Sequence, residues 1–517
     1  MFVRPLIMTR KAFGFGIALP QRNVGVPAYR WLGDALRDGI LAGRLRPGVK
    51  LPATREVAKE YGLSRGTVVA AFEQLKSEGY LTGAVGSGTY VNEVLPDDLL
   101  QVRASPPPAR AGRRSQRALS DFSRRVTAFP LWRFRRVRAF RANQPALNLF
   151  PTDLWAQIAA RRLRRATTSQ LLGCDPLGFQ PLREAIADYL RTSRGVNCTS
   201  QQVAIVSGVQ EALDIVARLL LNPGDAVCME NPGYVGARIA FEAHGAKIHG
   251  VPIDGDGMQL PGPAATDVRL AYVTPAHQFP LGISMTVARR LALLKWARAA
   301  GALIVEDDYD SEYRYSGRPL PALQGLDQRG AVLFTGSFSK VMFPSLRLGY
   351  VVIPSDLVET FAATRSMTSR HAPVLEQAVL CDFIEQGHFG RHLRRMREVY
   401  AERLAVLMDG AREQLAGLLE ISPIEAGLQT VGWLDSRINA ESAARSAAAR
   451  DIEVVPLAHY ARGRVATNGL QIGFAAVDAG EIRRGLRELR LVLEGELRGS
   501  PPPRAPVRAR AATTRAN

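Results

Sequence analysis

The sequence is poor in cysteine, poor in acid relative to base, and without a long apolar run. Cys174, Cys198, Cys228 and Cys381 are the only cysteines in 517 residues. They show neither metal-ligand spacing nor the density of a disulfide scaffold, so reduced, partly buried thiols in a cytoplasmic protein are expected. No stretch of about 18 uncharged apolar residues occurs, which argues against a transmembrane helix and a membrane partner. Residues Met1 to Ile17 lack a clean apolar core followed by a small-residue cleavage site, so they are not read as a signal peptide. Acids number 48 against 67 lysines and arginines, a formal charge of +19. Most of that excess is local. Pro96–Pro145 holds twelve arginines against three aspartates, and the tail from Gly499 holds four arginines and no acid. Such segments suit either phosphate contacts or solvated connectors, so an argument for nucleic acid must rest on folded parts.

What remains is globular in composition, and the length calls for more than one core. Residues 24–93 carry helical periodicity followed by a glycine-punctuated strand pair. Residues 96–145, rich in Pro, Ala, Ser and Arg, read as a linker. Residues 146–495 alternate helix-like and strand-like segments, as a layered α/β domain does. Residues 499–517 read as a basic disordered tail.

In the N-terminal segment, Trp31, Leu32, Ala35, Leu36, Ile40 and Leu41 recur at helical spacing over Tyr29–Ala42. A second helix is expected over Thr54–Tyr61, with Thr54 as its N-cap and Gly62 at its end. Ser64 suits the cap of a third helix through Val68, Phe72 and Leu75. Gly79–Leu81 and Gly88–Val91 read as strands around the glycine-rich turn Gly83–Gly88. Two helices joined by a tight turn, then a hairpin, make a winged helix-turn-helix. The second helix of such a pair puts its N-terminal residues toward base edges, here Ser64, Arg65 and Thr67. Arg55 and Lys59 would reach phosphates, and Gly88 would let the wing backbone approach the groove. A helical bundle whose hairpin binds another protein is the competing reading. The string LPATREVAKEYGLSRGTVVAAFEQLKSEGYLTGAVGSGTYV closely resembles the winged helix of GntR-type regulators, which implies double-stranded operator DNA as the partner.

The larger segment carries several chemistry-bearing stretches. The apolar run Ala331–Thr335 leads into Gly336-Ser337-Phe338-Ser339-Lys340, with Arg347 seven positions on. A lysine beside small hydroxyls and an arginine suits a phosphorylated aldehyde, with the lysine as nucleophile and the guanidinium on the phosphate. Ala302–Val305 reads as a buried parallel strand ending in Glu306-Asp307-Asp308-Tyr309-Asp310, where ligands of open α/β sheets bind. A carboxylate there suits a protonated pyridine nitrogen. A divalent-metal reading of the acids lacks a second acidic cluster to complete it. Val203–Val206 runs into Ser207-Gly208-Val209-Gln210 and a helix start, an anion-binding arrangement. Tyr234 follows the strand Ala226–Met229 and could stack on a planar ring. His277 and Gln278 lie in a further loop before Phe279-Pro280.

The blocks NPGYVGAR, TPAHQFPLG, EDDYDSEYRYSGRPLPALQ and GSFSKVMFPSLRLGY together resemble fold-type-I pyridoxal-phosphate enzymes, the aminotransferases. With the winged helix in front, the resemblance narrows to the MocR subfamily of GntR-type regulators. It implies a mostly parallel sheet with helices on both faces, a small C-terminal α+β subdomain and a homodimer. It implies pyridoxal 5'-phosphate as cofactor, with Lys340 forming a Schiff base to its aldehyde. Asp307 would pair with the pyridine nitrogen (Asp308 being the alternative) and Tyr309 with the ring hydroxyl. Tyr234 would stack on the ring. Ser207, Gly208, Val209, Gln210, Ser337, Ser339 and Arg347 would surround the phosphate. The match departs from aminotransferases in three places. Phe279 stands where an asparagine usually reaches the ring hydroxyl, leaving His277 or Gln278 as substitutes. Gly173–Gly178 lacks the usual tyrosine. Gln471 falls about where an arginine clamps the substrate carboxylate. The expectation is a regulator sensing pyridoxal phosphate or a small amine or amino acid, with a catalytically active aminotransferase as the alternative. No metal site is expected.

Overall fold

The computed structural model describes residues 19–22, 25–84, 88–95, 118–127, 136–262, 267–317, 320–463 and 468–499. The expectations for Gly86 and Ser87 of the wing turn, for 96–117 and 128–135 of the linker, and for the tail beyond Gly499 lie outside these residues. The chain divides into two compact units, Met1–Ala118 and Leu119–Asn517.

The first unit contains α1 (Ala28–Leu41), α2 (Thr54–Tyr61) and α3 (Arg65–Ser77), with β1 (Lys50–Leu51), β2 (Leu81–Ala84) and β3 (Gly88–Val91). One apolar stripe from each helix builds its core: Leu32, Leu36 and Ile40 from α1, Val57 from α2, Val68, Phe72 and Leu75 from α3. Ser64 caps α3 as expected, its Oγ accepting the Thr67 N–H at 3.1 Å. Thr54 does not cap α2. It is the first helical residue, and the Glu56 carboxylate instead reaches back to the Ala53 N–H at 3.1 Å. Gly62 ends α2 at φ 63°, the left-handed conformation for which a missing Cβ is an advantage. The expected hairpin is present, but β2 begins at Leu81. The two-residue β1, which sequence periodicity did not reveal, pairs antiparallel with β3.

The second unit is built on a seven-stranded sheet. Its strands are β4 (Val203–Val206), β5 (Ala226–Glu230), β6 (Lys247–Val251), β9 (Val268–Val273), β10 (Leu303–Asp308), β11 (Val332–Ser337) and β12 (Gly349–Val352). A small ribbon, β7 (Ile253–Asp254) with β8 (Gly257–Met258), follows β6. The order is β4-β12-β11-β10-β9-β5-β6, and only β12 runs antiparallel to its neighbours. Apolar runs such as Val203–Val206 are buried throughout, as strands covered on both faces require. A four-stranded antiparallel sheet follows: β13 (Leu419–Ile421), β14 (Gln429–Leu434), β15 (Val455–Pro456) and β16 (Gly469–Gly473), in the order β13-β14-β16-β15. With helices His388–Gln414, Ala440–Ala449 and Ala479–Gly499 it forms the C-terminal α+β part.

The linker expectation needs correction at its C-terminal end. Residues 136–145 are built into the second unit rather than connecting to it. Ala139 and Phe140 are completely or almost completely buried, and the Phe140 carbonyl accepts the Gly473 N–H at 2.9 Å. Arginine-rich composition hid the buried apolar residues Ala139, Phe140, Ala142 and Ala146 between the charges. Asp121–Arg125 is likewise a helix capped by Ser120, with Phe122 edge-on to His244 at 5.3 Å.

Candidate functional site

On the first unit, Arg55, Lys59, Ser64 and Arg65 are exposed and Thr67 is half-buried. Ser64 Oγ lies 2.8 Å from Thr67 Oγ1, so these hydroxyls define the start of α3 and remain at its outer end. Gly88 is exposed with φ 103°, and an added Cβ would collide with the Lys50 side chain. Lys50 itself lies over the Tyr90 ring, 5.6 Å from the centroid. Sequence reading missed Lys50 because β1 is too short to announce itself. Its pairing with Tyr90 places this cation at the base of the wing.

In the second unit, the β-strand alternation separates the two adjacent aspartates. Asp307 is buried, and its Oδ2 accepts the Tyr272 hydroxyl at 2.5 Å. Its Oδ1 is buried with no hydrogen-bond partner among the described residues. Burial, foremost, pushes its pKa up to about 7. Asp308 is occupied elsewhere, in a buried ion pair with Arg194 at 2.7 Å. Tyr272 was legible in the sequence only as a core aromatic. Its place opposite Val305 in the β9–β10 register puts it beside Asp307.

Lys340 follows β11, and its Nζ donates to the Asn143 carbonyl at 2.8 Å. Burial depresses its pKa to about 8, opposed by the charges of Asp310 and Asp307. A lowered pKa leaves more of the amine neutral and nucleophilic at neutral pH. Asn143 escaped the sequence reading because it lay in the supposed linker.

Gly208 connects β4 to helix Val209–Leu220 at φ 121°, and an added Cβ would lie 3.4 Å from the Arg347 guanidinium. Arg347 is exposed, in a left-handed conformation (φ 51°). The Ser207 N–H is already taken by the Glu211 carboxylate. The Glu211 N–H reaches the Gly208 carbonyl at 3.1 Å, so the N–H groups of Val209 and Gln210 are the first-turn donors for which no preceding turn supplies carbonyls. Gln210 is anchored through Nε2 to the Gly236 carbonyl at 3.0 Å, with its Oε1 buried and unpartnered among the described residues. Ser337 Oγ accepts the Ser339 N–H at 3.1 Å.

Tyr234 stacks near Tyr272 (centroids 6.4 Å apart) and meets Phe279 edge-on at 5.8 Å. His277 is buried, its Nδ1 2.9 Å from Asp310 Oδ1 and 3.0 Å from the Tyr309 hydroxyl. A carboxylate only accepts, so the Nδ1 carries a proton and His277 braces Tyr309. Gln278 does not serve as the expected substitute. Its Nε2 is spent on Glu230 Oε2 (3.2 Å) and on the carbonyls of Pro232 (3.0 Å) and Phe279 (2.5 Å), while its Oε1 holds the Leu281 N–H. It ties two loops together. Gln471 is completely buried, with its Oε1 accepting the Tyr460 hydroxyl at 2.7 Å.

The residues fit pyridoxal phosphate on an independent ground. A buried carboxylate oxygen with no donor among the described residues, on Asp307, stands in the same site as the half-buried Lys340 and a glycine cradle faced by the Arg347 guanidinium. Among the described residues no cluster of His, Cys, Asp and Glu could hold a metal ion, and no helix is long and apolar enough to cross a membrane.

A winged helix ahead of a mostly parallel sheet with these strand-end residues defines a DNA-binding module joined to a domain of the fold-type-I aminotransferase kind. Residues 28–91 match the bacterial regulatory proteins of the gntR family, and 140–489 match aminotransferase class I and II. The chain is 41% identical to the probable rhizopine catabolism regulatory protein MocR of Rhizobium meliloti, over 91% of this chain and 94% of that protein. It is 32% identical to the pyridoxine biosynthesis transcriptional regulator PdxR of Corynebacterium glutamicum, over 91% of this chain and 96% of that one. Among solved structures, the α-aminoadipate aminotransferase LysN of Thermus thermophilus aligns at TM-score 0.67 and 27% identity, covering 74% of this chain and 98% of LysN. The chain belongs to the MocR subfamily of GntR-type transcription regulators, with an aminotransferase class I and II domain.

Proposed function

We propose that this regulator binds pyridoxal 5'-phosphate at Lys340, senses either that cofactor or a small amine in the same site, and transmits the outcome to operator DNA. The observation that carries the reading is the buried Asp307 Oδ1, without a partner among the described residues, in one site with Lys340 and the Gly208–Arg347 cradle. When bound, the cofactor supplies an aldehyde for the lysine and a ring that withdraws electrons. Asp307, oriented by Tyr272, would hold the proton on the ring nitrogen. Tyr309, braced by His277 and Asp310, would meet the ring hydroxyl, and Tyr234 would cover one ring face. Arg347, Ser337, Ser339 and the first N–H groups of the helix after Gly208 would take the phosphate, where guanidinium and helix dipole add.

Arg65, Ser64 and Thr67 would read base edges, while Arg55, Lys59 and Lys50 would take phosphates. Leu163, Leu171, Leu172 and Met367 are exposed large apolar side chains, which supports a homodimer and hence paired half-sites. The names of the relatives, regulators of rhizopine catabolism and pyridoxine biosynthesis, support a small-molecule signal, and a cytoplasmic setting follows from the role. Retention of Lys340 and Asp307 also supports some residual aminotransferase turnover.

The test is the visible spectrum of the protein reconstituted with pyridoxal phosphate, beside Lys340→Ala. A band that borohydride removes and the variant lacks is expected. No band in the wild type overturns the cofactor claim.

A further inference from the structure

Gln471 carries an oddity that neither the fold nor the cofactor reading uses. Its side chain is completely buried, yet Nε2 has no hydrogen-bond partner among the described residues. A buried amide donor left so is unfavourable, and a ligand acceptor would relieve it. Its surroundings say where that acceptor would sit. Along β16, residues 471 and 473 project from the same face of the four-stranded sheet. On that face an added Cβ at Gly473 would strike the Arg141 carbonyl at 2.1 Å, so the segment carrying Arg141 and Asn143 packs directly there. Across the sheet the Oε1 of Gln429, opposite Gly473, accepts the Asn143 N–H at 2.9 Å. The Asn143 carbonyl in turn holds Lys340 Nζ. Gln471 therefore shares a face with groups one residue removed from the lysine. Aromatic rings link this position to Tyr309: Tyr460, whose hydroxyl donates to the Gln471 Oε1, meets Phe279 edge-on at 5.0 Å, and Phe279 meets Tyr309 at 6.0 Å.

Charge decides the class of ligand. The position offers a neutral amide fixed by a neutral phenol. The nearest cation on the segment, Arg141, has Glu453 at 3.8 Å to meet its charge. A carboxylate brought here would exchange water for one neutral N–H, a poor replacement for a buried ion. A hydroxyl or carboxamide carbonyl loses far less on entry and satisfies the same donor.

We infer that the Gln471 amide reads an uncharged oxygen acceptor on a small primary amine whose nitrogen is directed to Lys340, so the effector is an amino alcohol or amino amide rather than an α-amino acid. This rests on the cofactor reading above. The test is calorimetric titration of the full chain, loaded with pyridoxal phosphate, with serinol, L-serinamide and L-serine. Wild type should bind serinol or serinamide at least about tenfold tighter than serine, the worth of one buried hydrogen bond. Gln471→Arg should reverse the order, because a guanidinium donates two parallel hydrogen bonds to a carboxylate. Gln471→Met, which keeps the volume and loses the donor, should abolish the preference. Preference for serine in the wild type, equal binding, no binding of any probe, or an unchanged order in Gln471→Arg overturns the inference. A normal lysine-bound cofactor band in wild type and variants shows that the site is folded, so that a wrong ranking sinks this inference alone. A wild type without the band sinks it together with the cofactor reading.

Discussion

The two units present their polar residues in opposite ways. In the winged helix the core is closed by ordinary apolar packing, and the candidate contacts Arg55, Lys59, Ser64 and Arg65 stand exposed outside it. In the aminotransferase-type unit the candidate contacts other than the exposed Arg347 are buried or half-buried, and several polar atoms there have no partners among the described residues: Asp307 Oδ1, Gln210 Oε1, His277 Nε2 and Gln471 Nε2. A surface that meets a polyanion can wait in water at little cost, because its charges stay solvated. A pocket that meets a small molecule must hold desolvated groups ready, and buried groups without partners mark it.

That contrast can be broken first at Lys340. Lys340→Ala should abolish cofactor retention after gel filtration, read as complete loss of the visible band, while the winged helix still melts cooperatively. Asp307→Asn should weaken pyridoxal phosphate by roughly 10- to 100-fold, the worth of about 1.5–3 kcal/mol for a charge-assisted hydrogen bond, measured by cofactor titration. An unchanged affinity would show that Oδ1 has another purpose. On the exposed side the effects should be smaller and differently shaped. Arg65→Ala should cost about 1–3 kcal/mol at the preferred operator with little change on random DNA, whereas Lys59→Ala should weaken both and lower the salt slope by about one, in fluorescence-anisotropy titrations.

The smallest expected effect concerns pH. Burial raises Glu230, Asp307 and Glu312 each to about 7, far above an unfolded carboxyl. A group raised in this way favours folding while protonated, and that contribution is lost as pH rises through the folded value. The depressed Lys340 works the other way only above about 8. The cofactor-free protein should therefore melt at a lower temperature at pH 8 than at pH 6, a difference that cofactor binding narrows by giving Asp307 a cationic partner.

Much of this was readable before the structure. Apolar runs broken by polar residues at strand ends, as in Ala302–Val305 before Glu306, point to the candidate site because parallel strands are buried along their length and present polar groups only at their ends. The helix-turn-helix was readable because its caps and apolar stripes are local. Three features were not. Lys50 lies on a two-residue strand, which has no periodicity to detect. Asn143 and Arg141 sat in a segment whose arginines and prolines mimic a linker, although Ala139 and Phe140 bury completely or nearly so. Gln278 and His277 were equivalent as side chains, and only the packing of Glu230, Pro232 and Phe279 around one of them assigns it to holding loops. The choice between Asp307 and Asp308 needed Arg194, more than a hundred residues away in the chain.

The most direct measurement is the affinity of the full-length protein for a DNA fragment it selects from random sequence, compared with and without pyridoxal phosphate and in Lys340→Ala. Coupling requires that the cofactor favour one conformation of the regulator over another. The account predicts that the cofactor, or an amine added to the loaded protein, changes wild-type affinity by at least about fivefold and leaves Lys340→Ala unchanged. Identical affinities under all conditions would contradict it, leaving a DNA-binding module beside a cofactor pocket that does not speak to it.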